Sequence, residues 1–190
     1  MQIQKQIADL IDKVRQDLPE KDQLDGVISA LQALPHVLIF GGLVFREYEY
    51  EIKVGSANTF DGEIAALEQV KPLDLVAAPE LVELLPINPA RKEAVLVTRY
   101  KALEGEWLET ADQTRAPFHP EACEQLREDM TKLAEAGFVH PYVRSISHWI
   151  VSSESSTLFL DGWHALGKGS ERARAEMLEA VDAILASRCR

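Results

Sequence analysis

The residues best suited by type to do chemistry cluster between Gly137 and Leu166, in GFVHPYVRSISHWIVSSESSTLFLDGWHAL. Two imidazoles (His140, His148), a phenol (Tyr142) and a hydroxyl (Ser147) precede an apolar run that stops on Asp161. A carboxylate at the end of a buried strand loses hydration and needs a metal, a cation or an N–H partner. Asp161-Gly162 is also a common turn pair, so a plain turn stays open. Tyr142 is a neutral phenol of pKa about 10, which does not serve as a base at neutral pH without a large shift. Far upstream stand a lysine in the alternating run EIKV, Lys53, and a glutamate in FDGEIAAL, Glu63. Other chemistries lack a motif. The five histidines show no HExxH or other zinc spacing, and GxSxG and GxGxxG are absent. Cys123 lies in a helical stretch without a nucleophile signature.

These side chains need a scaffold, and hydrophobic periodicity supplies one. Ile3, Ile7, Leu10, Ile11, Val14 and Leu18 form a helical stripe stopped by Pro19, and Val27, Ile28, Leu31 and Leu34 form a second closed by Pro35. This helical hairpin reads as a packing element, with a partner-binding helix as the sharper alternative. HVLIF from His36 reads as a strand, broken by Gly41-Gly42, and LVFREYEYEIKV as an alternating strand. GSAN reads as a turn, after which Thr59 or Asp61 can cap a helix carrying Ile64, Leu67 and Val70. Leu81–Leu85 and Ala94–Tyr100 are two further strand candidates. Residues 101–120, with Gly105, Pro117 and Pro120, read as a connector. PEACEQLREDMTKLAEAG reads as a helix closed by Gly137, Trp149–Leu160 as a hairpin with a serine-rich tip, and SERARAEMLEAVDAILASR as a last helix. Trp107, Trp149 and Trp163 read as packing anchors.

From Pro35 on, this order of elements resembles the protein-kinase-like fold in a minimal, degenerate form, over about residues 36–166. The resemblance implies an α+β, two-lobed architecture: a small antiparallel sheet with one helix at 35–105, then a reduced, mainly helical lobe at 106–190, preceded by the hairpin at 1–34. It gives Lys53 the role of the lysine that contacts nucleotide phosphates, and Glu63 that of the helix carboxylate that fixes its stem. Arg99, Tyr100 and Lys101 would lie at the hinge, whose backbone meets adenine in that family. His140 would open the catalytic loop, but Tyr142 stands where the catalytic Asp belongs, and Ser147 or His148 falls near the position of the metal-binding Asn. Asp161 would hold Mg²⁺, with Gly162-Trp163 reversing the usual aromatic-glycine order. Gly41 and Gly42 would be all that remains of the phosphate-cradling glycine loop, which a tight hairpin explains better.

Composition bounds the rest. A 46% hydrophobic and 27% charged chain of 190 residues is globular in character. Its net charge of −11 speaks against nonspecific nucleic-acid binding and fits a basic protein partner as well as mere solubility. No apolar run reaches the roughly 20 residues a membrane span needs, and the polar N-terminus does not read as a signal peptide. Two cysteines, one of them next to the last residue, make a disulfide framework an unexpected outcome and a reducing cytoplasm the expected location. The combined expectation is a pseudokinase used in binding or regulation, with residual affinity for ATP and Mg²⁺. An active atypical phosphotransferase and an acidic α+β adaptor, chaperone or immunity-type protein are the alternatives.

Overall fold

The computed structural model describes residues 2–34, 38–40, 44–47, 49–101, 108–111, 117–152 and 157–189. Gly41, Gly42, Gly105, Trp107 and three of the four tip serines (Ser153, Ser155, Ser156) lie outside them. The architecture is mixed α+β. Helices α1 (Gln2–Asp17) and α2 (Gln23–Gln32) come first, then strands β1 (Leu38–Phe40), β2 (Val44–Glu47) and β3 (Tyr50–Ser56). Helix α3 (Ala57–Val70) follows, then β4 (Glu80–Asn88), β5 (Glu93–Arg99) and β6 (Leu108–Thr110). Helix α4 (Pro120–Glu135), β7 (Phe138–Val139), β8 (Trp149–Ser152), β9 (Leu158–Leu160), β10 (Gly167–Lys168) and α5 (Glu171–Arg188) complete it.

The first five strands form one antiparallel sheet in the order β1-β2-β3-β5-β4. Alternation along β3 decides which residue faces which side. Ile52 and Val54 join Val95 and Val97 of β5 on one face. There Ile3, Ile7 and Ile11 of α1 and Val27 and Leu31 of α2 cover them. Most of the two hairpin stripes is therefore taken up by packing on the sheet, while Leu18 stays exposed. Glu51 and Lys53 take the opposite face of the sheet. Pro86 sits within β4, where an edge strand tolerates a missing donor.

Three expectations need correction. The alternating run 43–54 is two strands, not one: β2 folds back on β3 with Glu47 opposite Tyr50, so charged residues at matching parity pair across the ladder. Helix α3 begins before Thr59, with Ser56 at its N-cap position, and the Thr59 hydroxyl donates to the Ser56 carbonyl instead of capping. GSAN is thus strand end and helix start. The connector region also contributes a strand, β6, which pairs with β8.

Below the large sheet, α3 bridges two cores. Its N-terminal half packs Phe60 on Ala94 and Leu96. Its C-terminal half, through Leu67 and Val70, joins a core made by α4, β8, β9 and α5. Gly137 ends α4 with φ of 86°, the left-handed conformation that glycine reaches without a Cβ clash. Ser170 caps α5 by accepting from the Ala173 N–H. Cys123 near the start of α4 and Cys189 just after α5 form a disulfide, 66 residues apart in sequence. The helices pack side by side, so this separation says nothing against bonding. The expectation of free thiols fails, and with it the cysteine-based inference of a reducing compartment. No helix among the described residues is long and apolar enough to cross a membrane.

Candidate functional site

Three distant segments meet where β3, α3 and the end of β9 converge. Lys53 Nζ donates to Glu63 Oε1 at 2.7 Å and to Asp161 Oδ1 at 3.3 Å. It also lies 3.1 Å from Glu51 Oε1. Each element positions its side chain for a local reason. Strand parity turns Lys53 away from the α1–α2 face. Glu63 follows Phe60 by one turn, so it shares the face of α3 buried against the sheet. Asp161 leaves β9 at a turn whose Gly162 has φ of 82° and donates its N–H to Asp161 Oδ1 at 2.6 Å. Residues 163–165 then pack against α3, which fixes the distance between Asp161 and Glu63.

The cluster is electrostatically tight. Burial opposes the Lys53 charge, but Glu51, Asp161 and Glu63 together outweigh it and hold the ammonium above its ordinary pKa. Burial pushes the Glu63 carboxyl up, against the pull of Lys53. Burial also disfavours the Asp161 charge, yet Lys53, Arg46 and the Gly162 N–H prevail and keep its pKa below the usual carboxylate range. Asp161 is therefore an anion already matched by a lysine.

The sequence reading missed Glu51 and Arg46. Glu51 is fully buried, accepts from Arg46 Nε at 2.8 Å through Oε2 and from the Tyr100 hydroxyl at 3.4 Å through Oε1. Burial and the neighbouring Glu51 charge push the Tyr100 phenol well above its ordinary pKa. The signal was present: Glu51 stands two residues before Lys53 and so must share its face. It was masked because charged residues in an alternating run normally face water.

The loop candidates do different things. His140 is fully buried with neither ring nitrogen hydrogen-bonded, its ring edge-on to Trp163 at 4.7 Å. Burial pushes its pKa down to about 4, against an opposing effect of Asp161. Tyr142 stacks on His148 at 4.2 Å between ring centres and covers Gly162 so closely that a Cβ there would collide with the Tyr142 ring. Ser147 is exposed and shares a hydrogen bond with Ser145 at 2.7 Å between hydroxyl oxygens. Among the described residues no group of three or more His, Cys, Asp or Glu could hold a metal ion. Mg²⁺ is commonly held by one or two carboxylates with waters and substrate phosphates, and Asp161, partly exposed and paired to Lys53, could supply one such ligand.

His140 gives a measurable pH dependence. Its pKa is lower folded than unfolded, so the unfolded chain takes up the proton first, and stability is lost as pH falls from about 6.5 toward about 4. Between pH 7.5 and 5 this histidine should remove about 2 kcal/mol. Urea titrations at both pH values should show that much less acid sensitivity in His140→Phe than in the wild type; equal sensitivity would refute it.

No protein-family model matches the chain, and no curated protein matches it. Among solved structures, it is similar to the kinase PK-1 of the Cydia pomonella granulovirus. The identity is 13% and the TM-score 0.47, over 79% of this chain and 58% of that one. The chain thus spans less than two thirds of that kinase, and a likeness of this degree carries no functional argument.

Proposed function

We propose that this chain is a catalytically impaired protein-kinase-like domain that acts by binding or regulation. The observation carrying this reading is the junction of Lys53, Glu63 and Asp161. A lysine on the third strand, a glutamate on the following helix and an aspartate after a late strand are the residues that hold nucleotide phosphates and metal in kinases. Here they have come together from positions 10 and 108 residues apart. The impairment rests on Tyr142. It stands in the loop where a base would accept the acceptor's proton, and its ring is engaged with His148 and Gly162. The acidic surface favours a basic protein as the partner. The retained Lys53 and Asp161 favour an active phosphotransferase instead. Incubation with γ-labelled ATP, Mg²⁺ and a broad protein extract separates the two. We expect no transfer; transfer by the wild type that Asp161→Asn abolishes would overturn the proposal.

A further inference from the structure

In a kinase-like cleft a nucleotide must reach from the lysine that meets its phosphates to the chain segment leaving the last strand of the sheet. In this protein those two ends are Lys53 and Tyr100. Their side chains share one buried neighbour. A single carboxylate oxygen, Glu51 Oε1, is 3.1 Å from Lys53 Nζ and 3.4 Å from the Tyr100 hydroxyl. The other oxygen is held by Arg46, which lies directly across the ladder from Glu51. Glu51 and Tyr100 are both 0% exposed and Arg46 2%, so this is packed interior and not the wall of an open groove.

We infer that the Arg46–Glu51 pair is a built-in occupant of the nucleotide position, and that Glu51 is the residue that keeps ATP from Lys53. The inference rests on the kinase-like reading above and deepens it. Glu51 performs for Lys53 what a phosphate would: it supplies a matched anion at hydrogen-bond distance. An incoming nucleotide must displace Glu51 and would then leave a buried carboxylate facing its own phosphates. It must also break the buried Arg46–Glu51 contact. Both costs oppose binding. Neither exists if position 51 is small and uncharged.

The direct variant Glu51→Ala removes the buried carboxylate that Arg46 Nε holds and can fail to fold. The test therefore uses Arg46→Met together with Glu51→Ala, which removes both charges and opens the space, alongside Arg46→Met alone. ATP, with and without Mg²⁺, is titrated by calorimetry into wild type and both variants, each first shown to be folded by circular dichroism. The double variant should bind ATP at least about tenfold more tightly than the wild type and show a thermal shift that rises with ATP concentration. Arg46→Met alone should gain nothing, because Glu51 still holds Lys53. The inference is overturned if the folded double variant gains no affinity, if the wild type already binds as tightly, or if Arg46→Met alone matches the double variant. None of those binding results touches the impaired-kinase reading, which stands or falls on phosphate transfer by the wild type.

Discussion

Lys53→Met should destabilise the protein by about 3–5 kcal/mol, as expected when one partner of a buried ion pair is removed. The lysine side chain is 12% exposed and is the common partner of Glu51, Glu63 and Asp161. Without it, the three carboxylates lose the cation they share. A lysine whose task was confined to touching a ligand would behave differently, since its removal from an empty site would cost within about 0.5 kcal/mol. The pH dependence gives a second check. In the variant Glu63 and Asp161 lose their ammonium, so their folded pKa values rise above the unfolded ones. Their repulsion is relieved by protonation, and the deficit should be full near pH 8 and shrink as pH falls through the carboxylate range. Replacing both Lys53 and Glu63 by Met should recover part of the loss, because the stranded charge goes with its partner. Denaturant unfolding at pH 8 and pH 5 measures all of this. A Lys53→Met protein as stable as the wild type at pH 8 would show that the cluster is not what holds β3, α3 and Asp161 together.

Much of the scaffold was legible because burial imposes period. The stripes of α1, α2, α4 and the apolar runs of β5 and β9 appear in the sequence as they do in the structure, since each buries one face or both. The split of 43–54 into β2 and β3 was not legible. Alternation reads the same where a chain folds back on itself, so nothing in LVFREYEYEIKV marks where the strand reverses. That one ambiguity hid the site's second half, because Arg46 meets Glu51 only if the chain folds back between them. Lys53, Glu63 and Asp161 were each nameable, yet what they do together depends on the packing of residues 163–165 on α3. The role of Glu51 depends on Tyr100, almost fifty residues away. Such contacts leave no local trace.

Breaking the disulfide should lower stability by about 2–4 kcal/mol and the midpoint of thermal unfolding by roughly 5–15 °C. The bond closes a long stretch of chain, with the cysteines 66 residues apart, and loop-closure entropy alone places the upper bound near ~4 kcal/mol for that length. The native contacts at the closure are already formed without it. The Phe118 N–H donates to the Arg188 carbonyl at 2.8 Å, and the Arg188 guanidinium lies 4.5 Å from the centre of the Phe118 ring. Cys123→Ser or a reductant should therefore change the unfolded chain more than the folded one. The enclosed stretch contains Tyr142, Asp161, Trp149 and Trp163, while Lys53 and the large sheet lie outside it. Unfolding followed by tryptophan fluorescence, with and without reductant, should show the loss. Cys189→Ser should reproduce it, and the double variant should add nothing further, because both substitutions delete the same bond. Equal midpoints for oxidised and reduced protein would defeat the prediction, as would two titratable thiols in the native protein purified without reductant.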